Sequence, residues 1–257
     1  MINDKDSRNT FYVLDKKNDI PIVFIHGVGL DHKIWESQIN VFENTFLAYD
    51  ILGHGKTPLN LKNVSFDDFS EQLINLIDEL NMKKIHLVGF SIGSLIARNF
   101  AAKYNDRLKS LTLLCSIFKR TEKEREIVKV RYELTKKSKS LSKHALKRWF
   151  TEDYLEKHPK IYNKIVSMLE QNNMENFLKI YKLFVTHKDN EKFENIKTKT
   201  LVMTAEGDIG STPEMSKNLS KVIKNSKVKI IPKGKHLCSI ECSDDVNMAI
   251  KKHIQND

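Results

Sequence analysis

The feature that constrains this chain most is a tight turn, Gly-Phe-Ser-Ile-Gly at residues 89–93, set between a strand pattern and a helix pattern. Residues 84–88 form a largely apolar run typical of a buried strand, and apolar residues at 95, 96 and 100 continue as one face of a helix. A side chain at either glycine would collide with the neighbouring strand and helix. The pattern therefore predicts that Ser91 presents its hydroxyl at the start of a helix, as a candidate nucleophile.

An acid and a histidine follow the serine in chain order, each after a predicted strand. Asp208 comes after the apolar residues 200–204, and His236 comes after residues 228–232. A serine hydroxyl is a poor nucleophile until a base removes its proton, and imidazole can be that base when a carboxylate fixes its tautomer. The order differs from those of the trypsin-like and subtilisin-like enzymes. The sequence therefore predicts a triad of Ser91, Asp208 and His236.

A glycine-containing turn, His-Gly-Val-Gly at residues 26–29, follows another predicted strand at residues 21–25. Its flexible glycines allow a backbone N–H to point at a substrate carbonyl oxygen, and the N–H of Val28 is the candidate. The N–H of Ile92, at the start of the helix after the serine, is the candidate for a second donor. We interpret His26 as a structural residue under this turn rather than as a second base.

Two other patterns are interpreted as structural. The loop at residues 50–57 lacks the Gly-Lys-Ser/Thr spacing of a phosphate loop and opens no predicted helix. Asp50 and His54 are instead expected to form hydrogen bonds in a tight loop behind the oxyanion turn. The spacing of Cys238 and Cys242 matches no standard zinc pattern, so we expect free thiols and no metal site there.

The order of predicted elements indicates an α/β fold. Strands alternate with helices as far as residue 115, and apolar strands covered by helices on both sides predict a mostly parallel, twisted sheet. Residues 11–14 are expected to add an antiparallel edge strand. After residue 199 the predicted elements are a strand, a helix at 213–223, a strand at 227–231 and a closing helix at 240–253.

From residue 119 to residue 195 the apolar periodicity is helical throughout. Three sets of apolar residues recur at helical spacing: Leu141, Ala145, Trp149 and Phe150; Ile161, Ile165, Met168 and Leu169; and Phe177, Ile180, Tyr181, Phe184 and Val185. This pattern predicts an all-helical lid, residues 119–195, inserted into a core made of residues 1–118 and 196–257.

The positive charge is concentrated in the predicted lid. The chain carries a net charge of +10, and residues 119–192, with 19 Lys and Arg against 11 Asp and Glu, carry +8 of it. The basic residues form no compact run and no nucleic-acid motif is present, so we expect no nucleic-acid partner. A basic lobe over a site would favour anionic substrates by electrostatic steering.

The remaining composition points to an ordinary globular protein of 257 residues. Residues 1–9 are polar and lack the apolar core of a signal peptide, and no apolar run approaches the roughly 20 residues that span a bilayer. Three cysteines are too few for a disulfide framework. We therefore expect a cytoplasmic protein with no membrane partner.

Together these motifs resemble the α/β-hydrolase superfamily over essentially the whole chain. Within it, residues 145–151 and the segment His236 to Glu241 are similar to the lid and triad tail of 3-oxoadipate enol-lactonases and their near relatives. The resemblance implies hydrolysis of a small lactone or ester through an acyl-enzyme, without a metal or organic cofactor. It also makes Arg148 and Trp149 candidates for the substrate pocket.

Several alternatives stay open. A general carboxylesterase or another small-molecule acyl hydrolase shares much of the pattern, and a triad-bearing ligand sensor of the same fold is an alternative of a different class. Trp149 is equally compatible with the lid core and with a pocket wall, and Arg148 with a substrate carboxylate or with solvent. The sequence does not decide the oligomeric state.

Overall fold

The computed structural model describes residues 1–138 and 142–255, and for residues 142–144 it describes the backbone only. In the described chain the strands form one sheet in the order β1-β2-β4-β3-β5-β6-β7-β8. The pairs from β4 to β8 in this order are parallel. The other two pairs, β1 with β2 and β2 with β4, are antiparallel. The strands are β1 (Ile2–Lys5), β2 (Phe11–Asp15), β3 (Ile22–Ile25), β4 (Phe46–Tyr49), β5 (Ile85–Phe90), β6 (Leu108–Leu114), β7 (Thr200–Ala205) and β8 (Ser226–Ile231).

Helices cover both faces of this sheet, as predicted. Alternate residues of β3 point to opposite faces of the sheet. Val23 and Ile25 belong to the buried cluster that includes residues of α2, α3 and α9, whereas Ile22 and Phe24 belong to the cluster that includes residues of α10 and α11. Within the described residues no helix is long and apolar enough to cross a bilayer. The helices are α1 (Glu36–Ile39), α2 (Phe66–Glu79), α3 (Ile92–Lys103), α4 (Glu122–Ser138), α5 (Ser142–Trp149), α6 (Glu152–Lys157), α7 (Pro159–Glu170), α8 (Met174–Thr186), α9 (Pro213–Val222), α10 (Cys238–Glu241) and α11 (Ser243–Gln255).

Helices α4 to α8 lie between β6 and β7, in the segment that we call the helical insertion (residues 119–195). The insertion packs directly on the core: Leu146, Phe150, Ile165 and Leu169 join the buried cluster that contains Trp35. Of the apolar positions expected on its helices, Leu141 lies outside the described residues. That the insertion acts as a lid, and the boundaries at 118 and 195, stay predictions.

Three details of the predicted elements were wrong. The outermost strand β1 was missed because all four of its side chains are exposed and leave no apolar alternation to detect. Between β3 and β4, where the alternation of strands and helices predicts a helix, the chain forms a 3-10 turn at His32–Trp35 followed by the short α1. The single closing helix is two helices, because Cys242, with φ −123° and ψ 44°, leaves the helical region of backbone space.

A buried ionic cluster joins the end of the helical insertion to α3. Arg98 Nη2 donates to Asp189 Oδ1 at 2.9 Å and to Glu191 Oε2 at 2.8 Å, and the Arg98 side chain is fully buried. His187 Nε2 lies 3.4 Å from Asp189 Oδ1 and 3.3 Å from Glu191 Oε1. Burial by itself lowers the pKa of His187, but the two carboxylates offset this and raise its pKa above the ordinary value. With the imidazole protonated, two buried cations balance two buried carboxylates.

This balance predicts a pH-dependent contribution to folding stability. A histidine whose pKa is raised in the folded state contributes its full stabilisation at pH values below its unfolded-state pKa of about 6.5. This stabilisation is lost as pH rises through the folded-state pKa. The free energy of unfolding, measured with urea, should therefore exceed that of His187→Gln most at pH 6, and the difference should shrink towards pH 9. The exposed His158→Gln serves as the control, and an unchanged difference between wild type and His187→Gln across this range would contradict the prediction.

Candidate active site

The turn after β5 holds Ser91 in a backbone conformation that is rare for residues other than glycine, with φ 55° and ψ −118°. Close packing imposes it. A Cβ on Gly89 would lie 2.3 Å from the carbonyl oxygen of Gly93, and a Cβ on Gly93 would lie 2.5 Å from that of Ile25. Such strain costs on the order of 1–3 kcal/mol and persists only where the surrounding structure enforces it. The serine side chain is therefore fixed in place at the carboxyl end of the sheet.

The three residues predicted as a triad are hydrogen-bonded in series. His236 Nε2 lies 3.1 Å from Ser91 Oγ, and His236 Nδ1 lies 2.7 Å from Asp208 Oδ2. Because the carboxylate can only accept, Nδ1 carries a proton, and in the neutral form of the imidazole Nε2 is the acceptor that faces the serine hydroxyl. This arrangement can transfer the serine proton to imidazole and hold the resulting imidazolium next to a carboxylate.

Backbone donors fix the orientation of the Asp208 carboxylate. Its Oδ1 accepts hydrogen bonds from the N–H groups of Gly210 at 2.8 Å and Ser211 at 2.9 Å, which leaves Oδ2 for His236. The hydroxyl of Thr204 in turn donates to the carbonyl of Ser211 at 2.7 Å. The turn after β7 therefore supports the acid from behind and leaves one oxygen aimed at the histidine.

The buried pair Asp208 and His236 favours its ionised state. Burial raises the pKa of Asp208, yet the histidine and the two backbone N–H groups outweigh burial and hold that pKa below its ordinary value. Burial lowers the pKa of His236, but the adjacent carboxylate more than compensates and raises it above its ordinary value. The carboxylate thereby makes the imidazole a stronger base towards the serine proton.

The turn at residues 26–29 lies against the serine. A Cβ on Gly27 would be 3.4 Å from the Cβ of Ser91, so the two segments are in contact. The first N–H groups of a helix have no partner within it, and the N–H of Ile92 is one of these groups in α3. The N–H of Val28 belongs to the facing turn, and its role as an oxyanion donor together with Ile92 stays a prediction.

Histidines hold this turn from below, in agreement with their structural interpretation. His54 Nε2 accepts the N–H of Gly29 at 2.8 Å, and His26 Nε2 accepts the N–H of Ile51 at 3.0 Å. Burial lowers the pKa of His26 and lowers that of His54 to about 3, so both rings stay neutral and can accept. Asp50 is also a hydrogen-bond acceptor behind the turn: its carboxylate accepts the N–H of His32 at 2.9 Å.

The two candidate pocket residues are placed differently. The Trp149 ring is half-buried, with its centroid 6.3 Å from that of His236, and its backbone carbonyl accepts the N–H of Leu237 at 2.9 Å. Arg148 is half-buried beside Arg131 and Tyr181: burial, followed by the charge of Arg131, lowers its pKa. The structure thus brings Trp149 to the triad and places Arg148 in a basic cluster of the helical insertion.

Sequence reasoning missed Cys115, which lies directly behind the triad histidine. Its Sγ donates to the carbonyl of His236 at 3.2 Å and lies 3.8 Å from the Sγ of Cys238. The available signal was its position directly after β6, because the carboxyl ends of parallel strands meet at one edge of the sheet. Burial raises the pKa of the Cys115 thiol well above its ordinary range, so the thiol acts as a protonated donor.

Two groups of described residues have the right atoms for a metal ion: Cys115 with Asp208 and His236, and His187 with Asp189 and Glu191. In each group the side chains already interact with one another or with a neighbouring cation. In the first group His236 Nδ1 and Asp208 Oδ2 are hydrogen-bonded to each other. In the second group the Arg98 guanidinium contacts both carboxylates. Neither donor set fits a resident cation as well as it fits these hydrogen bonds and ion pairs.

A cavity of about 440 Å³ opens beside the loop behind the oxyanion turn. Its walls include basic and acidic side chains, among them Lys33, Lys56 and Asp50, together with apolar ones. Ser91, Asp208 and His236 are not among its walls. Ser91 itself is buried, with only 6% of its surface exposed.

Residues 20–241 match the family described as the alpha/beta hydrolase fold. The chain belongs to the α/β-hydrolase family. Two relatives of this α/β hydrolase come from Acinetobacter baylyi. One is an (E)-2-((N-methylformamido)methylene)succinate hydrolase, 27% identical over 97% of this chain and 95% of the relative. The other is 3-oxoadipate enol-lactonase 1, 22% identical over 94% of this chain and 91% of the relative.

Solved structures agree on the fold. The enol-lactonase from Burkholderia xenovorans superposes with a TM-score of 0.87 at 22% identity, covering 96% of this chain and 97% of that one. A thermophilic esterase from Thermogutta terrifontis, solved with malate bound, superposes with a TM-score of 0.85 at 22% identity, covering 98% of this chain and 97% of that one. The predicted α/β-hydrolase fold with enol-lactonase-like relatives is confirmed.

The contact between Asp208 and His236 predicts how the acid side of the pH–rate profile responds to mutation. General-base action needs neutral imidazole, so kcat/KM should rise as pH passes through the raised pKa of His236. Asp208→Asn removes the carboxylate that raises the pKa of His236, so the rise of kcat/KM with pH should occur at lower pH. We also expect kcat to fall by about 10⁴, as in other serine triads. The measurement is p-nitrophenyl acetate hydrolysis from pH 5 to 10.

The exposed Asp245→Asn is the matched control and should keep the wild-type profile. A loss of less than tenfold in Asp208→Asn, or an unmoved acid limb, would show that another group orients His236.

Proposed function

We propose that this α/β hydrolase cleaves small carboxylic esters or lactones through a serine acyl-enzyme. The observation that carries the proposal is the hydrogen-bonded series from Ser91 through His236 to Asp208, which is set against the oxyanion turn at Val28. Two glycine turns and three polar side chains that converge on one point serve no common structural purpose otherwise.

In the proposed reaction Ser91 Oγ attacks the substrate carbonyl carbon while its proton passes to His236 Nε2. Asp208, ionised and fixed by two backbone N–H groups, stabilises the imidazolium. The carbonyl oxygen becomes an oxyanion between the N–H groups of Val28 and Ile92. Loss of one such donor typically costs about 10²–10³ in kcat, which makes these two dipoles a major part of the barrier reduction.

Collapse of the tetrahedral species expels the alkoxide, which takes the proton from His236 and leaves Ser91 acylated. Water then repeats the sequence: His236 accepts its proton, hydroxide attacks the acyl carbon, and the proton returns to Ser91 Oγ as the acid departs. Each proton and each stabilising dipole in these steps comes from protein or water. The proposal therefore requires no cofactor.

A basic cluster in the helical insertion supports a substrate that carries a carboxylate. Arg131 and Arg148 flank Tyr181, and their positive charges act on its phenol. The Tyr181 ring lies 5.4 Å from that of Phe177, and a Cβ on Gly29 of the oxyanion turn would be 3.2 Å from the Phe177 ring. Two side chains, Tyr181 and Phe177, therefore lie between the guanidinium groups and Gly29 of the oxyanion turn.

The relatives add independent support for an acidic substrate. One acts on a substituted succinate, another on 3-oxoadipate enol-lactone, and the thermophilic esterase holds malate, so each name contains a dicarboxylic acid. We place the substrate of this chain in the same class and take 3-oxoadipate enol-lactone as the first lactone to test. A general carboxylesterase, without preference for charge, is the alternative.

The first test concerns acylation of Ser91. Ser91→Ala should lower kcat by about 10⁶ without loss of the fold, as removal of the nucleophile does in a comparable triad. Diethyl p-nitrophenyl phosphate should label Ser91 in the wild type, located by peptide mass spectrometry. The matched control is Ser116→Ala, another buried serine, whose hydroxyl has no hydrogen-bond partner among the described residues.

Label on a different serine, or full activity in Ser91→Ala, would refute the acyl-enzyme. The same substrate separates an enzyme from a sensor. p-Nitrophenyl acetate should be turned over many times per site, whereas a burst of one equivalent with negligible later rate would favour a ligand sensor.

The second test concerns substrate charge. Mono(p-nitrophenyl) succinate should have a higher kcat/KM than its neutral methyl ester, and the gap should narrow at high salt because ions screen over roughly 8–10 Å. Arg148→Gln should raise KM for the anionic ester by about tenfold, the worth of one hydrogen bond to a charged group, and leave the neutral ester unchanged. The exposed Lys136→Gln on α4 is the control. Equal use of the neutral ester at low salt would favour the general carboxylesterase.

A further inference from the structure

One carboxylate outside the triad ties the helical insertion to the loop that carries His236. Glu241, the last residue of α10, accepts the backbone N–H of Thr151 at 2.9 Å and the Thr151 hydroxyl through Oε1. Its Oε2 accepts the backbone N–H of Lys235 at 3.1 Å. Three donors from two separate segments therefore converge on this one side chain.

These contacts enclose the triad histidine on both sides along the chain. The N–H of Lys235, one residue before His236, is bound by Glu241, and the N–H of Leu237, one residue after it, is bound by the Trp149 carbonyl at 2.9 Å. The carbonyl of His236 itself accepts the Cys115 thiol at 3.2 Å. Residues 235, 236 and 237 are thus each held by a hydrogen bond. Lys235 is connected to Thr151 through Glu241, and Leu237 is bonded directly to Trp149.

The same turn is anchored a second time. The Lys235 ammonium donates to the carbonyl of Lys147 at 3.0 Å, and Tyr154 on α6 reaches the carbonyl of Ile240 at 3.5 Å. The segment after β8 is also held from the core, since the N–H of Gly207 donates to the carbonyl of Gly234 at 2.9 Å, and the contacts with the helical insertion add to this hold. A shift of the insertion turn would move the imidazole relative to Ser91.

We propose that Glu241 is a positioning residue that holds His236 in line with Ser91 by fastening the histidine loop to the turn at residues 149–151. The inference rests on the proposed function, since it assigns Glu241 a role in that triad. It adds a dependence of triad geometry on the helical insertion. A displacement of about 1 Å at a catalytic group can cost 10²-fold in rate, so such a fastening has a measurable effect.

Thr151 also caps α6, because its Oγ1 accepts the N–H of Tyr154 at 3.3 Å. A purely structural reading of Glu241 would make it a support for this cap. The two readings differ in outcome. Loss of a cap lowers the stability of the fold, whereas loss of positioning lowers the reactivity of Ser91 in a protein that is still folded.

The experiment measures phosphorylation of Ser91 by diethyl p-nitrophenyl phosphate. Ser91 Oγ forms a bond to phosphorus, the bond to p-nitrophenolate breaks, and the serine proton passes to His236, so nitrophenolate release reports the nucleophile directly. Glu241→Gln keeps the shape, but its amide N–H₂ must face one of the backbone donors, so at least one tie is lost. We expect the labelling rate to fall by 10- to 100-fold while the unfolding midpoint shows a folded protein.

A second readout separates positioning from stability. If the loop relaxes, the contact between His236 and Asp208 weakens, and the acid limb of the labelling rate should move to lower pH, as in Asp208→Asn. With p-nitrophenyl acetate, kcat should fall more than KM rises. The exposed Glu156→Gln on α6 is the matched control and should behave as wild type in each measurement.

Variants at the partner residue keep the test informative if Glu241→Gln does not fold. Thr151→Val removes the hydroxyl donor and should slow labelling, whereas Thr151→Ser restores the donor and should recover the wild-type rate. In the double variant Glu241→Gln/Thr151→Val the loss should be smaller than the product of the single losses, because both act through the same contact.

The outcomes separate this inference from the function on which it rests. If the wild type is labelled at Ser91 and Glu241→Gln is labelled equally fast, the positioning role is overturned. It is also overturned if labelling slows with an unmoved acid limb, or if Thr151→Ser is as slow as Thr151→Val. If the wild type is not labelled at Ser91, the acyl-enzyme itself is refuted.

Discussion

The close approach of three backbone segments at the serine turn is the constraint on which the rest of the site depends. Because β3, β5 and α3 meet where Gly89 and Gly93 have no side chains, Ser91 is held at φ 55° and cannot relax. The strain is sustained by the packing of a fully buried strand and helix. With Ser91 fixed, His236 and, through it, Asp208 reach it from the ends of neighbouring parallel strands.

The parallel sheet supplies those places. Val28, Ser91, Cys115, Asp208 and His236 each follow the carboxyl end of a strand, and these ends meet at one edge. Ser91, Cys115 and Asp208 are buried, and hydrogen bonds with backbone groups and between side chains satisfy their polar atoms. The same buried environment strengthens the interaction between carboxylate and imidazole, because little water competes for either.

The helical insertion contacts both halves of the site. Leu169 and Phe177 pack against Gly29 of the oxyanion turn, and the turn after α5 binds the loop of His236 through Trp149 and Glu241. The helical insertion therefore contacts the segment that faces Ser91 and the segment that carries His236.

The sequence by itself determined the α/β-hydrolase fold, the serine turn and the order of the candidate triad, because each is written in short local patterns and in their order along the chain. It did not reveal β1, whose exposed residues carry no apolar period, or the break at Cys242. Only the tertiary structure decided that Cys115 and Glu241 contact the histidine loop and that Arg98 meets Asp189. Contacts such as Cys115 with His236, 121 positions apart, depend on how strand ends and loops converge, and no local periodicity records that convergence.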